Sequence, residues 1–260
     1  MILRIFTSYI FRGVLLCLAT LWLSGCAKKD KAQDPPPPAY YTRLGLEFSH
    51  EMNGSPLVRN TQPYTNPAGE TFLVTKFRYY LSNFALVDDA GKNIPLASAY
   101  FLIDDAVDST KRILLDSVPA GTFTAIRFLI GVDSARNNSG VQSGALDPVN
   151  GMFWTWNSGY IMAKLEGTSD AIDLPAKGFE WHVGGFKGPY NVLKTVQLPV
   201  NFRVIPFTAA LPNFKVVANV GKWFAPNAAS FAQTPVIMGP GEAALNIANN
   251  YQQMFSIKNQ

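Results

Sequence analysis

From Leu44 onward, apolar side chains recur at every second position, and a period of two is the signature of half-buried strands. Leu44, Leu46 and Phe48 alternate with Arg43, Gly45 and Glu47. Val192, Val196, Leu198, Val200, Phe202 and Val204 share one parity, while Gln197, Asn201 and Arg203 take the other. Phe214, Val216, Ala218 and Val220 repeat the pattern. Phe72 to Val87 is aromatic and β-branched, then closes at Asp88-Asp89-Ala90-Gly91, a turn signal. Thr122 to Val132 is a further strand candidate. Eighteen prolines and twenty glycines break the chain at short intervals, which favours a sandwich over an α/β fold. The expected fold is all-β, a mostly antiparallel β-sandwich with a short C-terminal helix. That helix is predicted over Glu242 to Met254, opened by Gly241 or Pro240.

The N-terminal segment follows different rules. Residues 1–25 read as an export signal. Arg4 and Arg12 precede Gly13 to Leu23, an apolar run too short to span a bilayer comfortably. The run ends in Leu23-Ser24-Gly25-Cys26, small residues before a cysteine, as a lipoprotein signal peptidase requires. Cys26 is then the expected lipidation site, and several acyl chains at ~0.8 kcal/mol per buried CH₂ make a stable anchor. Residues 26–39 are charged, then Pro-rich, and read as a tether. Residues 40–260 suit one domain by length. Ala27 after Cys26 favours the outer membrane, facing the periplasm.

The cysteines limit the chemistry. Cys17 falls in the signal and Cys26 carries the lipid, so no thiol remains for a disulfide, a thiolate metal site or a nucleophile. Without the signal the net charge is about +2 with no basic stripe, which argues against a nucleic-acid partner. There is no Gly-x-Ser-x-Gly elbow and no phosphate-binding glycine loop, so a non-catalytic protein is expected.

Two histidines exist, His50 and His182. His50 continues the inward parity of Leu44, Leu46 and Phe48, where a polar ring needs a partner. His182 shares a strand face with Glu180, opposite Phe179, Trp181 and Val183, and reads as exposed, with Gly184-Gly185 as a turn or bulge. Trp154 and Trp156, two apart, point the same way if they lie on a strand. Asp133, Asn137 and Asp147 bring oxygen donors that could hold a calcium ion, or cap turns.

Several segments together resemble the MbnP-like copper-binding lipoprotein family, in the version found in Bacteroidetes lipoproteins. They are Phe77-Arg78-Tyr79-Tyr80-Leu81-Ser82-Asn83-Phe84, Phe128 to Ser134, Gly144-Ala145-Leu146-Asp147-Pro148, Gly151 to Tyr160 and His182-Val183-Gly184-Gly185. The Met-Phe-Trp-x-Trp-x-x-Gly-Tyr core is the most specific. The resemblance implies a periplasm-facing copper protein. It also implies a di-haem, cytochrome c peroxidase-like partner of the MbnH type that oxidises a tryptophan to kynurenine. The extra His and Cys of the methanotroph members are not found here. By motif the modified residue is Trp154, Trp156 or Trp181, with Trp223 behind them. The implied ligands are His50 and His182 in one site, with Met52 or Met152 as third donor; imidazole and thioether suit Cu(I). The competing expectation is a non-catalytic cell-envelope interaction module with at most a structural calcium ion.

Overall fold

The computed structural model describes residues 40–155, 159–206 and 212–258. The export signal, Cys26, the tether to residue 39 and Trp156 lie outside the described residues. Ten strands organise the rest: β1 (Tyr41–Met52), β2 (Thr71–Asp88), β3 (Tyr100–Asp104), β4 (Arg112–Pro119), β5 (Gly121–Ile130), β6 (Gly159–Ser169), β7 (Gly178–Gly184), β8 (Lys194–Val204), β9 (Asn213–Asn219) and β10 (Phe255–Ile257). Shorter pieces, including Phe153–Trp154 and Val236–Ile237, add to the sheet edges. Two helices appear, the single turn α1 (Ser134–Asn137) and α2 (Glu242–Tyr251).

The strands form two sheets. The first runs β10-β9-β1, with β4 on the other edge of β1. The second runs β8-β5-β2-β6-β7 and ends on Val236–Ile237. Most pairs are antiparallel, as expected. The parallel pairing of β1 with β9 departs from that pattern, because these strands are far apart in sequence and the chain crosses between sheets before returning. β2 is the spine of the second sheet. Its first half pairs with β6 and its second with β5. The turn after it is closed by Asp88, whose Oδ1 accepts from the backbone N–H of Ala90 and Lys92.

The alternation decides what lies between the sheets. Leu44, Leu46, Phe48, His50 and Met52 all point inward from β1 and are buried. They meet the inward face of β2: the Phe48 ring lies 6.5 Å from that of Tyr79, edge-on. Phe255 closes the layer from β10, 5.4 Å from Tyr79 and 5.2 Å from Phe128. Burying each such side chain contributes about 1.5–3 kcal/mol before packing terms. In β8, Val196, Leu198 and Val204 are buried, but a bulge between Pro199 and Phe202 leaves Val200 and Phe202 only partly covered. Helix α2 starts where expected, after Gly241, and packs Tyr251 against Trp223 with centroids 5.1 Å apart.

Candidate metal centre

His50 sits in a closed space between the sheets. Its Nδ1–H donates to Asp105 Oδ1 at 2.6 Å, and the Tyr79 hydroxyl donates to its Nε2 at 3.0 Å. The assignment follows from the partners: a carboxylate only accepts, so Nδ1 carries the proton and Nε2 presents its lone pair inward. Asp105 follows β3 directly and is also held by Arg59 Nε at 2.6 Å. Burial works against the Asp105 charge, but the bonds from His50 and Arg59 outweigh it and hold the carboxyl below its ordinary range. Burial, reinforced by the Asp105 charge, pushes the Tyr79 phenol well up, so it stays a donor. Phe77 packs edge-on to the imidazole at 5.0 Å. Met52 occupies the next inward position of β1 and is buried too.

His182 lies on the other side of the second sheet. It pairs across to Lys164, and Lys164 pairs across to Arg78. Residues directly opposite on paired strands share a face, and Arg78 faces away from Phe77 and Tyr79. The two imidazoles therefore lie on opposite faces of the sheet, and the shared His50–His182 site expected from the resemblance is not assembled. Nor is His182 exposed, as its alternation implied. Its Nε2 bonds Glu166 Oε1 at 2.8 Å, and the segment entering Phe153 lies over this face. Lys164 Nζ donates to Gly151 O at 2.7 Å and Arg78 Nη1 to Asn150 O at 3.0 Å. Tyr80 and Tyr160 hydroxyls donate to Ala145 O and Leu146 O.

Charge separates the two environments further. Around His182 stand Lys76, 2.6 Å from Glu166, and Lys164, 3.5 Å from it. Burial opposes the Glu166 charge, yet hydrogen bonds from His182 and Lys76 and the Lys164 charge hold its pKa at about 2. Burial also draws the Lys164 ammonium below its usual value. A metal cation at His182 would stand close to the Lys76 and Lys164 ammonium groups. Among the described residues no group of three His, Cys, Asp or Glu side chains converges on one point.

The remaining candidates are scattered. Met152 is fully buried before the short Phe153–Trp154 strand. That strand is two residues long, and the shared direction expected of Trp154 and Trp156 involves a residue outside those described. Trp154 and Trp181 are core residues, and Trp181 Nε1–H donates to Thr234 O. Trp223 is fully buried and its Nε1–H meets no hydrogen-bond acceptor. The oxygen donors proposed for calcium are engaged within the protein, mostly by the main chain, with the Tyr100 hydroxyl donating to Asp133 Oδ2. Asp133 caps α1, Asn137 bridges Val132 O and the Tyr160 N–H, and Asp147 accepts from the Val149 N–H.

Sequence reasoning missed Asp105, Tyr79, Lys164 and Glu166. A signal existed for the last two: Lys164 and Glu166 are charged residues two apart inside an otherwise apolar strand, which marks a covered polar face.

The fold has a counterpart of known structure. MbnP from Methylosinus trichosporium superposes with a TM-score of 0.51 at 17% identity, over 78% of this chain and 82% of that one. No curated protein sequence matches the chain. The family model described as MbnP matches residues 41–239, the sandwich from β1 to beyond β9, and the chain is therefore a member of the MbnP family.

Proposed function

We propose that this protein is a lipid-anchored, periplasm-facing accessory protein, not an enzyme, that holds copper at His50 rather than between the two histidines. The observation that carries this reading is the donor set on the inner face. An imidazole whose Nδ1–H is fixed on a carboxylate presents Nε2 as a ligand, the arrangement in which carboxylates orient metal-binding histidines. The neighbouring inward position holds the Met52 thioether, and imidazole with thioether favours Cu(I). His182 also rests on a carboxylate, but Glu166 is shared with Lys76 and Lys164, whose positive charges oppose a cation there.

The test is metal content after Cu(I) loading and desalting. About one copper per chain is expected, lost in His50→Ala and retained in His182→Ala. Loss in His182→Ala with retention in His50→Ala would overturn the assignment. In the same reading, anchoring is through Cys26 in the outer membrane, and a di-haem peroxidase-like partner oxidises one tryptophan. Of the described candidates Trp154 is the better placed: both indoles are buried, but the cavity beside Trp154 is about 680 Å³ and the one beside Trp181 about 110 Å³. Conversion to kynurenine gains one oxygen and loses one carbon, about 4 Da by intact mass.

A further inference from the structure

Described residues from two of the most distinctive stretches of the sequence, Phe153 to Thr155 with Gly159 and Tyr160 from one and Gly185 from the other, come together away from His50. They converge on a cavity of about 680 Å³, a volume typical of small-molecule sites. Phe153, Tyr160, Phe186 and Tyr190 supply aromatic walls, and Val141 stands exposed at the rim. Among the described lining residues Lys187 is the single charged side chain, its ammonium 5.4 Å from the Phe186 centroid.

The glycines make the shape. A Cβ on Gly184 would lie 2.4 Å from the Trp154 ring, so its absence lets that indole seat against β7. Gly185 has φ +130°, and a Cβ there would meet Tyr190 O at 2.6 Å. Three of the described wall segments are already fixed by hydrogen bonds. Asn137 Oδ1 accepts from the Tyr160 N–H, Ser134 Oγ donates to Phe186 O, and Val192 N–H donates to Gly185 O. A preformed site loses less on binding than one that must order itself.

We propose that this cavity binds a small organic anion with a flat apolar body, such as an aromatic carboxylate or sulfonate. Aromatic walls take the body by stacking and edge contacts. Lys187, with no lining carboxylate to neutralise it, selects the negative head group.

The probe is naphthalene-2-sulfonate, with uncharged 2-methylnaphthalene as comparison. Both are dialysed against the full-length protein in lipid nanodiscs, with empty nanodiscs as blank. One saturable site per chain is expected for the sulfonate. Lys187→Met should weaken the sulfonate about tenfold and leave 2-methylnaphthalene unchanged. Tyr190→Ala should weaken both. Lys187 and Tyr190 are exposed, so both variants should keep the wild-type far-UV circular dichroism and urea midpoint. No saturable uptake by the wild type, or sulfonate binding indifferent to Lys187→Met, would overturn the proposal. Copper content plays no part in this readout, so failure here and failure at His50 are distinguishable.

Discussion

The inner and outer faces of the second sheet each hold one histidine bonded to one carboxylate, yet they are built for different ends. On the inner face, His50 stands between Phe77 and Tyr79, with Met52 at the next inward position of its strand, Asp105 behind it and Arg59 beyond. On the outer face, His182 is one member of a charged lattice whose donors end on the carbonyls of residues 150 and 151. An imidazole–carboxylate pair thus meets a phenol among apolar rings in one place and, in the other, joins a lattice whose Lys164 and Arg78 fasten a loop. What differs is where the surrounding charge sits. The inner face is apolar up to the imidazole, whereas the outer face places two lysines against Glu166.

That contrast can be broken most severely at Glu166. Glu166→Leu leaves Lys164 buried without its counter-charge and His182 without a partner. The expected loss is about 3–5 kcal/mol in urea unfolding. A loss under about 1 kcal/mol would mean the outer lattice is solvated and loosely held.

A pH titration sharpens the same point. Glu166 has a native pKa of about 2 against an ordinary value of 4.5, so it binds fewer protons folded than unfolded. Its stabilisation is fully present above the ordinary value and is lost as pH falls through the native one. Stability should therefore fall between pH 4.5 and 2, and Glu166→Gln should flatten that part of the curve. An unchanged slope would assign the acid sensitivity elsewhere, to carboxyls such as Asp105, Glu70 and Asp133 that are also held below their ordinary range.

The inner face predicts a smaller effect. Tyr79→Phe removes one donor from His50 Nε2 and keeps the ring packing, at about 0.5–1.5 kcal/mol. Copper should be retained, because the phenol competes for the same lone pair. Copper lost in Tyr79→Phe would mean that the hydroxyl belongs to the site.

Much of the scaffold could be read from the alternation alone. β1, β2 and α2 were expected nearly to their ends, since apolar periodicity and turn chemistry are local signals. The inward direction of His50 came from the same parity. The site was less legible. Which residues meet His50 depends on how two sheets stack, and Asp105 reaches it from a segment 55 positions away. The burial of His182 was invisible because the cover is a loop, and its hold on the sheet runs through backbone carbonyls that every residue carries. Of the two readings of the Asp133, Asn137 and Asp147 loop, turn capping has direct hydrogen bonds behind it: Asp133 and Asp147 each cap a short helix.

The grip on that loop has an evolutionary side. Four sheet side chains, Arg78, Tyr80, Tyr160 and Lys164, hold residues 145, 146, 150 and 151 by main-chain oxygens. Between these points Val149 is 85% exposed. An anchor that reads only the peptide group places no demand on the side chain it displays. The outward chemistry of this loop can therefore drift, or be replaced by grafting, while its path over the sheet is inherited intact.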